Sequence, residues 1–162
     1  MGSGYGGSYI GTDGGSQPYA YSYSVEPHMH RIDVEKGICH DGQYEKNPTA
    51  EKIEDLINGN YIKNKQYNPG EVPYVIDMDR NIIIGLRNGN GREGLPTPHP
   101  TLIGGKSPEV RMAGMVTIRG GKIISWDNQS GHYKPNIKSM SVADEAFGKL
   151  PTSVFRKKRG GY

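Results

Sequence analysis

The sequence predicts an α+β fold: a small antiparallel sheet of hairpins, two short helices and long loops rich in glycine and proline. Two hairpin patterns and two short amphipathic patterns carry this prediction. The composition agrees with it, because 24 glycines and 11 prolines among 162 residues accompany a hydrophobic share of only 33%. A chain of this length forms one domain, and its core must be small.

Composition divides the chain into a leader at 1–24, a single α+β domain at 25–155 and a basic tail at 156–162. The leader is rich in Gly, Ser and Tyr, as flexible linkers are, although its alternating tyrosines can dock as a strand does. Four consecutive cations occupy residues 156–159, and without them the net charge of +3 becomes −1. The domain itself is therefore nearly neutral, and we expect a solvated tail.

Several classes of protein are excluded by what the sequence lacks. No apolar stretch is long enough for a membrane span, and no signal-peptide segment follows Met1. We therefore expect no membrane partner and no classical export signal. The single cysteine, Cys39, excludes an internal disulfide framework and a cysteine-rich zinc site.

The first half of the domain contains one predicted strand and one predicted helix. Residues 21–34 are extended in character, and Pro27 argues for an edge strand or a bulge. A short helix is predicted to begin at Asn47-Pro48-Thr49 and to end at Asn58-Gly59. Its apolar face contains Ile53, Leu56 and Ile57.

The second half contains both hairpins and the second helix. Residues 74–76 and 82–84 flank an acidic turn, and 112–118 and 122–126 flank Gly120-Gly121. Between the hairpins, residues 85–108 form a long loop, which in a compact domain is usually functional or disordered. The Ser-Val-Ala-Asp run at 141–144 resembles a capping box, followed by an apolar face at Val142, Ala146, Phe147 and Leu150.

Histidines are the natural candidates for chemistry, because histidine alone titrates near neutral pH without help. His99 and His132 both lie where predicted scaffold gives way to loop, the usual place for functional side chains. Together, or with Lys134, they can act as general base and acid on an RNA 2′-hydroxyl without a metal. The alternative is structural: the residues around His132 cap a turn, and Pro135 ends the strand.

Other patterns carry weaker signals. His28 and His30 would share a face of a strand, but no third ligand follows at metal spacing, so we expect no metal site. The glycine-rich stretch at 85–91 does not match a phosphate-binding P-loop. Arg31 can hold an anionic group from a strand or form an ordinary ion pair.

A series of short motifs between residues 73 and 135 resembles a module shared by C-terminal domains of bacterial polymorphic toxins and plant IQ-motif proteins. The module consists of a Tyr-Val strand with an acidic turn, a His with a following hydroxyl residue and Gly-Gly, an Ala-Gly strand, a Gly turn and Ser-Gly-His-Tyr-x-Pro. Here the motifs read Pro73-Tyr74-Val75-Ile76-Asp77, His99-Pro100-Thr101-Leu102-Ile103-Gly104-Gly105, Ala113-Gly114, Gly120-Gly121-Lys122-Ile123 and Ser130-Gly131-His132-Tyr133-Lys134-Pro135. Pro100 stands where the family usually has a hydroxyl residue. No IQ motif is present, so calmodulin binding does not carry over.

This resemblance implies a toxin or effector domain of the kind used in interbacterial competition. Such a domain is secreted without a classical signal peptide, enters the target-cell cytoplasm, acts on a protein or RNA there and is opposed by an immunity protein. Arg31-Ile32-Asp33 on an early strand also resembles the arginine strand of ADP-ribosyltransferase toxins, which implies NAD as substrate.

In that reading the NAD-binding residues are Arg31, Ser130 and Tyr133, with Arg31 on the phosphates and Tyr133 stacked on the nicotinamide. The catalytic residues are His99, Thr101 and His132, of which His99 and Thr101 bond the nicotinamide ribose. The family's late Glu-x-Glu motif is missing, so the catalytic acid stays open among Glu109, Asp127 and Glu145. The sequence therefore predicts an ADP-ribosyltransferase-like toxin, with a metal-independent ribonuclease or a non-enzymatic binding module as alternatives.

Overall fold

The computed structural model describes residues 16–63, 70–88 and 95–156 of the chain. It contains two α-helices, α1 (Pro27–Lys36) and α2 (Met140–Gly148), together with antiparallel sheets, which confirms the α+β prediction. The described residues form nine strands: β1 (Cys39–His40), β2 (Gln43–Tyr44), β3 (Glu51–Lys52), β4 (Ile57–Asn58), β5 (Tyr61–Ile62), β6 (Gly70–Ile76), β7 (Ile82–Ile84), β8 (Met112–Arg119) and β9 (Lys122–Trp126).

A five-stranded sheet in the order β3-β7-β6-β8-β9 forms the centre of the domain, and every neighbouring pair in it is antiparallel. Two small two-stranded sheets, β1-β2 and β4-β5, lie outside it. The longest pairing joins β6 to β8 over seven registered positions, from Gly70 opposite Ile118 to Ile76 opposite Met112. These two strands therefore form the rigid middle of the fold.

Both faces of the central sheet are buried, because alternate residues of β6 and β8 enter different clusters. Tyr74 and Met112 belong to the larger cluster, which α2 closes through Phe147. Val75 and Ala113 belong to the smaller cluster on the opposite face. That second face is covered by irregular chain that contributes Tyr23, Leu102, Val110 and Tyr133.

Both predicted hairpins are confirmed. The turn between β6 and β7 is held by the Asp77 carboxylate, which accepts the backbone N–H groups of Asp79 and Asn81. The turn between β8 and β9 uses Gly120 and Gly121, both with positive φ. Turn chemistry and alternation agreed at these two sites, which is why the sequence predicted them correctly.

The predicted strand at 21–34 is wrong, because residues from Pro27 onward form α1. Proline lies in the first turn, where its missing N–H costs nothing, and Gly37 ends the helix in the left-handed conformation. Strand-type pairing in this segment is confined to Tyr23, which forms an isolated bridge to Val110. Pro27, which predicted an edge strand or a bulge, instead begins a helix.

The helix predicted from residue 47 to residue 59 is also wrong. The Asn47 side chain accepts from the Thr49 backbone and hydroxyl, and residues 51–52 then pair with β7. Only a 3-10 turn, Ile53–Leu56, is helical, and it still buries its two apolar ends. These two apolar residues are therefore buried as predicted, but a single 3-10 turn is enough to bury them.

The last predicted helix exists as α2, although it does not begin with the predicted capping box. Ser139 occupies the N-cap position and makes no side-chain cap bond, because its hydroxyl is bonded to the Tyr23 hydroxyl at 2.6 Å. The predicted apolar face is confirmed at Phe147, which stacks on Trp126 with the ring centroids 4.3 Å apart.

Residues 16–24, which composition assigned to the leader, lie against the domain and are called the N-terminal strap below. Gln17 bonds the backbone of Tyr133 and Lys134, and the Tyr23 ring is 1% exposed. The leader before residue 16, residues 89–94 of the central loop and the basic tail after Arg156 lie outside the described residues. No helix in the described part has the length and apolar character of a membrane span.

Candidate functional site

The Ser-Gly-His-Tyr-Lys-Pro motif forms a tight turn just after β9. The Ser130 hydroxyl accepts the backbone N–H of Tyr133 at 3.2 Å, and the backbone N–H of Lys134 donates to the Ser130 carbonyl at 2.8 Å. The Tyr133 ring is fully buried, and its hydroxyl donates to the Pro108 carbonyl at 2.8 Å. The buried Tyr133 side chain thereby anchors the turn to the domain, and His132 projects from the turn.

His132 is paired with Asp33 of α1. The Nε2 atom of His132 lies 3.1 Å from Oδ1 and 3.0 Å from Oδ2 of Asp33. Since a carboxylate only accepts, Nε2 carries the proton and donates it to Asp33. The pair is well shielded from solvent, because 13% of the His132 side chain and 2% of the Asp33 side chain are exposed.

A second donor approaches the same carboxylate. The Tyr44 hydroxyl, on β2, donates to Oδ2 of Asp33 at 2.5 Å. Burial raises the pKa of Tyr44, and the hydrogen bond to Asp33 and the negative charge of that carboxylate raise it further. Tyr44 is therefore a neutral donor at physiological pH, and it orients the carboxylate toward His132.

His99 is buried in the 3-10 turn His99–Leu102, where its Nε2–H donates to the Gly114 carbonyl on β8 at 2.8 Å. Burial lowers the pKa of His99 to about 4, against the opposing effect of the Gly114 hydrogen bond. The neighbouring His132 and Arg87 make smaller contributions to this lowering of the pKa. At neutral pH, His99 is therefore an uncharged ring whose second nitrogen, Nδ1, can only accept a hydrogen bond.

Gly114 allows this arrangement because the chain after β9 passes directly over it. A Cβ atom on Gly114 would lie 1.9 Å from the Asp127 carbonyl oxygen, closer than any real contact. The Ala-Gly element of the motif series is thus required by close backbone approach. Both the segment that begins at Asp127 and the turn that contains His99 therefore contact β8 at Gly114.

Three of the predicted site residues are engaged in holding the backbone. The Thr101 hydroxyl, which is buried, donates to the Pro98 carbonyl at 2.6 Å and closes the 3-10 turn. Ser130 closes the motif turn by accepting the backbone N–H of Tyr133. Tyr133 is 0% exposed, so its ring presents no accessible face for the predicted stacking on nicotinamide.

Arg31 is not on a strand, and that correction removes the predicted arginine strand. It lies on α1, exposed to solvent, two residues before the buried Asp33. Successive residues of an α-helix are separated by about 100° around the axis, so Arg31 and Asp33 point in nearly opposite directions. The structure does not bring Arg31 to His132 or Asp33.

None of the three candidate acids is hydrogen-bonded to either histidine of the site. Glu109 accepts the Ser22 hydroxyl at 2.9 Å, and Asp127 accepts the backbone N–H groups of Met115 and Gln129. Glu145 pairs with Arg80 at the surface. The acid that the structure places at the site is Asp33.

Sequence reasoning missed both Asp33 and Tyr44 as members of the site. Asp33 was noticed only as part of Arg31-Ile32-Asp33, because a strand reading gave it no special position. Read as helix, the segment makes Asp33 the buried residue of α1 and leaves its neighbours Ile32 and Val34 less buried. The sequence does not show which acid of the segment is buried, so it carried no local signal for this role.

His28 and His30, once considered as a metal pair, are exposed on α1. Within the described ranges, no group of three or more His, Cys, Asp or Glu side chains is arranged to hold a metal ion. Comparisons with protein-family models, curated proteins and solved structures found no match to this chain.

Proposed function

We propose that this protein is a toxin or effector domain that cleaves RNA without a metal, with the Asp33–His132 pair as its general base. One observation carries the proposal: the shielded Asp33 carboxylate accepts Nε2–H of His132 at 3.0–3.1 Å. This hydrogen bond fixes the tautomer in which Nδ1 of His132 has a free lone pair.

The proposed step begins at an RNA 2′-hydroxyl. Nδ1 of His132 takes the hydroxyl proton, and the carboxylate of Asp33 stabilises the positive charge that develops on the imidazole. The 2′-oxygen forms a bond to the adjacent phosphorus, the bond to the 5′-oxygen breaks, and that oxygen takes a proton from solvent. The products are a 2′,3′-cyclic phosphate and a 5′-hydroxyl end.

His99 and Arg87 have supporting roles in this proposal. His99 is neutral, so Nδ1 can accept a hydrogen bond from a ribose hydroxyl but supplies no proton to a leaving group. Arg87 is exposed, and its charge contributes to the lowered pKa of His99, so we assign its guanidinium to a phosphate of the RNA. The acid role once considered for His99 is therefore dropped.

Two considerations favour this function over ADP-ribosyl transfer from NAD. Arg31, on which NAD binding depended, points away from Asp33, and Tyr133 has no exposed face for the nicotinamide. The toxin class rests on the resemblance of residues 73–135, within which lie both histidines of the site. Delivery from a bacterium into a target cell and an immunity partner belong to the same proposal.

Cleavage of single-stranded RNA in the presence of EDTA tests the chemistry. We expect oligonucleotide fragments with cyclic phosphate ends, and a loss of about 10²-fold or more in His132→Gln, the usual contribution of a general base. His28→Gln is the matched control, because His28 is an exposed histidine on α1. Asp33→Asn, which removes the charge but keeps an acceptor, should also slow cleavage.

A parallel incubation with labelled NAD and cell lysate separates the competing functions. Transfer of label while the RNA stays intact would show that the protein is an ADP-ribosyltransferase and not a ribonuclease. If neither reaction is observed, the result favours a non-enzymatic binding module. Unchanged cleavage by folded His132→Gln would contradict the assignment of the base. Expression inside bacterial cells should arrest growth, and His132→Gln should relieve that arrest.

A further inference from the structure

Arg111, outside the catalytic cluster, is buried without a partner for part of its guanidinium. The residue is 6% exposed, and its Nη1 atom is both buried and without any hydrogen-bond partner. Its Nε donates a long bond of 3.4 Å to the Tyr21 carbonyl. A buried cation without an anion is costly, so its presence needs an explanation.

No carboxylate in residues 16–63, 70–88 and 95–156 forms a salt bridge with Arg111. The nearest acid along the chain, Glu109, accepts the Ser22 hydroxyl instead. A guanidinium is built to pair with two oxygens of one anion, and that capacity is unused here.

The N-terminal strap supplies an aromatic cover for this guanidinium. The Cζ atom of Arg111 lies 4.2 Å from the centroid of the Tyr21 ring, and that side chain is 65% exposed. Tyr19, two residues earlier, is 63% exposed. A cation beside an exposed aromatic ring is a combination by which proteins bind single-stranded nucleic acid, through phosphate pairing and base stacking.

We propose that Arg111 binds a backbone phosphate of single-stranded RNA, with the exposed Tyr21 ring beside it as a stacking surface for a base. This site rests on the proposed function and extends it, since it would hold the substrate away from the cleaved bond. The same strap bonds the Tyr133 and Lys134 backbone through Gln17, so it connects this site to the turn that projects His132.

Binding can be measured without catalysis by using a short 2′-deoxy oligonucleotide, which lacks the attacking hydroxyl. We expect the oligonucleotide and inorganic phosphate at matched ionic strength to stabilise the protein in thermal unfolding, and acetate to have a smaller effect. At about ten times its dissociation constant, a ligand raises the folded-to-unfolded ratio about 11-fold.

Arg111→Gln should abolish this stabilisation, and Arg111→Lys should weaken it because the ammonium lacks the planar fork. Arg119→Gln is the matched control, since it removes the same charge from the exposed end of β8. Tyr21→Leu should reduce oligonucleotide binding more than phosphate binding. If Arg111→Gln does not fold, the Arg111 Nε–H signal of the wild-type protein must still shift on addition of phosphate.

Equal stabilisation of the Arg111→Gln and wild-type proteins, or a wild-type protein that responds to neither ligand, would overturn the proposal. The two proposals fail separately. Binding without RNA cleavage would retain the phosphate site and refute the ribonuclease, whereas cleavage unaffected by Arg111→Gln and Arg111→Lys would refute only the phosphate site.

Discussion

Acidification should destabilise this protein through His99. In an unfolded chain His99 has its ordinary pKa of 6.5, whereas burial lowers the pKa to about 4 in the folded state. Between these values the unfolded chain binds a proton that the folded protein does not, so stability falls as the pH decreases. The contribution is fully present above pH 6.5 and, for a pKa difference of this size, amounts to about 3 kcal/mol.

The assay is urea unfolding of the wild-type protein and His99→Gln between pH 7 and pH 4. Gln can still donate to the Gly114 carbonyl but does not titrate. Trp126, the only tryptophan, is 7% exposed and stacks on Phe147, so its fluorescence reports unfolding. We expect the advantage of the wild-type protein over His99→Gln to decrease by about 3 kcal/mol across this range.

His28→Gln is the matched control, because it makes the same substitution at an exposed position on α1. The reasoning would be refuted if the difference in free energy of unfolding between the wild-type protein and His99→Gln changed by less than about 0.5 kcal/mol between pH 7 and pH 4. So would a His99 ring that titrates in NMR near its ordinary pKa.

Three further substitutions test the packing around the site. Tyr44→Phe removes a hydrogen bond to the Asp33 carboxylate and should lower the free energy of unfolding by about 1.5–3 kcal/mol in urea titrations. Gly114→Ala should destabilise by about 3 kcal/mol or more, seen as loss of soluble protein or a lower Tm, because Asp127 backbone occupies the space of the new methyl group. Tyr133→Phe leaves the buried Pro108 carbonyl without its hydrogen-bond donor. It should therefore lower the free energy of unfolding by about 1–3 kcal/mol, as measured by thermal unfolding.

The sequence predicted the elements whose signals are local. The turn at Gly120-Gly121 needs positive φ, and the residues on either side alternate as strands do, so the hairpin followed directly. The apolar face of α2 was predicted because Ala146, Phe147 and Leu150 recur at helical spacing. In these segments local preference and tertiary packing favoured the same structure.

The failures occurred where one residue type suits two structures. Pro27 is acceptable at a strand edge and in the first turn of a helix, and only the left-handed Gly37 ten residues later favours the helix. Asn47 caps an isolated turn as readily as a helix, and pairing of residues 51–52 with β7 then decides for a strand. Such pairing is a long-range contact that no local pattern contains.

The candidate site was predicted in part for the same reason. His99 and His132 were recognised because they lie beside turns, and a turn has a local signature. The pairing of Asp33 with His132 joins residues 99 positions apart and depends on α1 being a helix. Once α1 was read as a strand, the acid of the site could not be identified.

The construction of α1 also has a consequence for how the site comes together. Within this helix, all of which is described, Asp33 is the only buried residue, so little apolar surface attaches α1 to the sheet. Amide groups of such a segment exchange with solvent through local opening rather than global unfolding. Opening of α1 would carry Asp33 away from His132 while β6 and β8 stay paired. Assembly of the acid with its histidine is then a separate folding equilibrium, which any ligand that binds only one of its two states would shift.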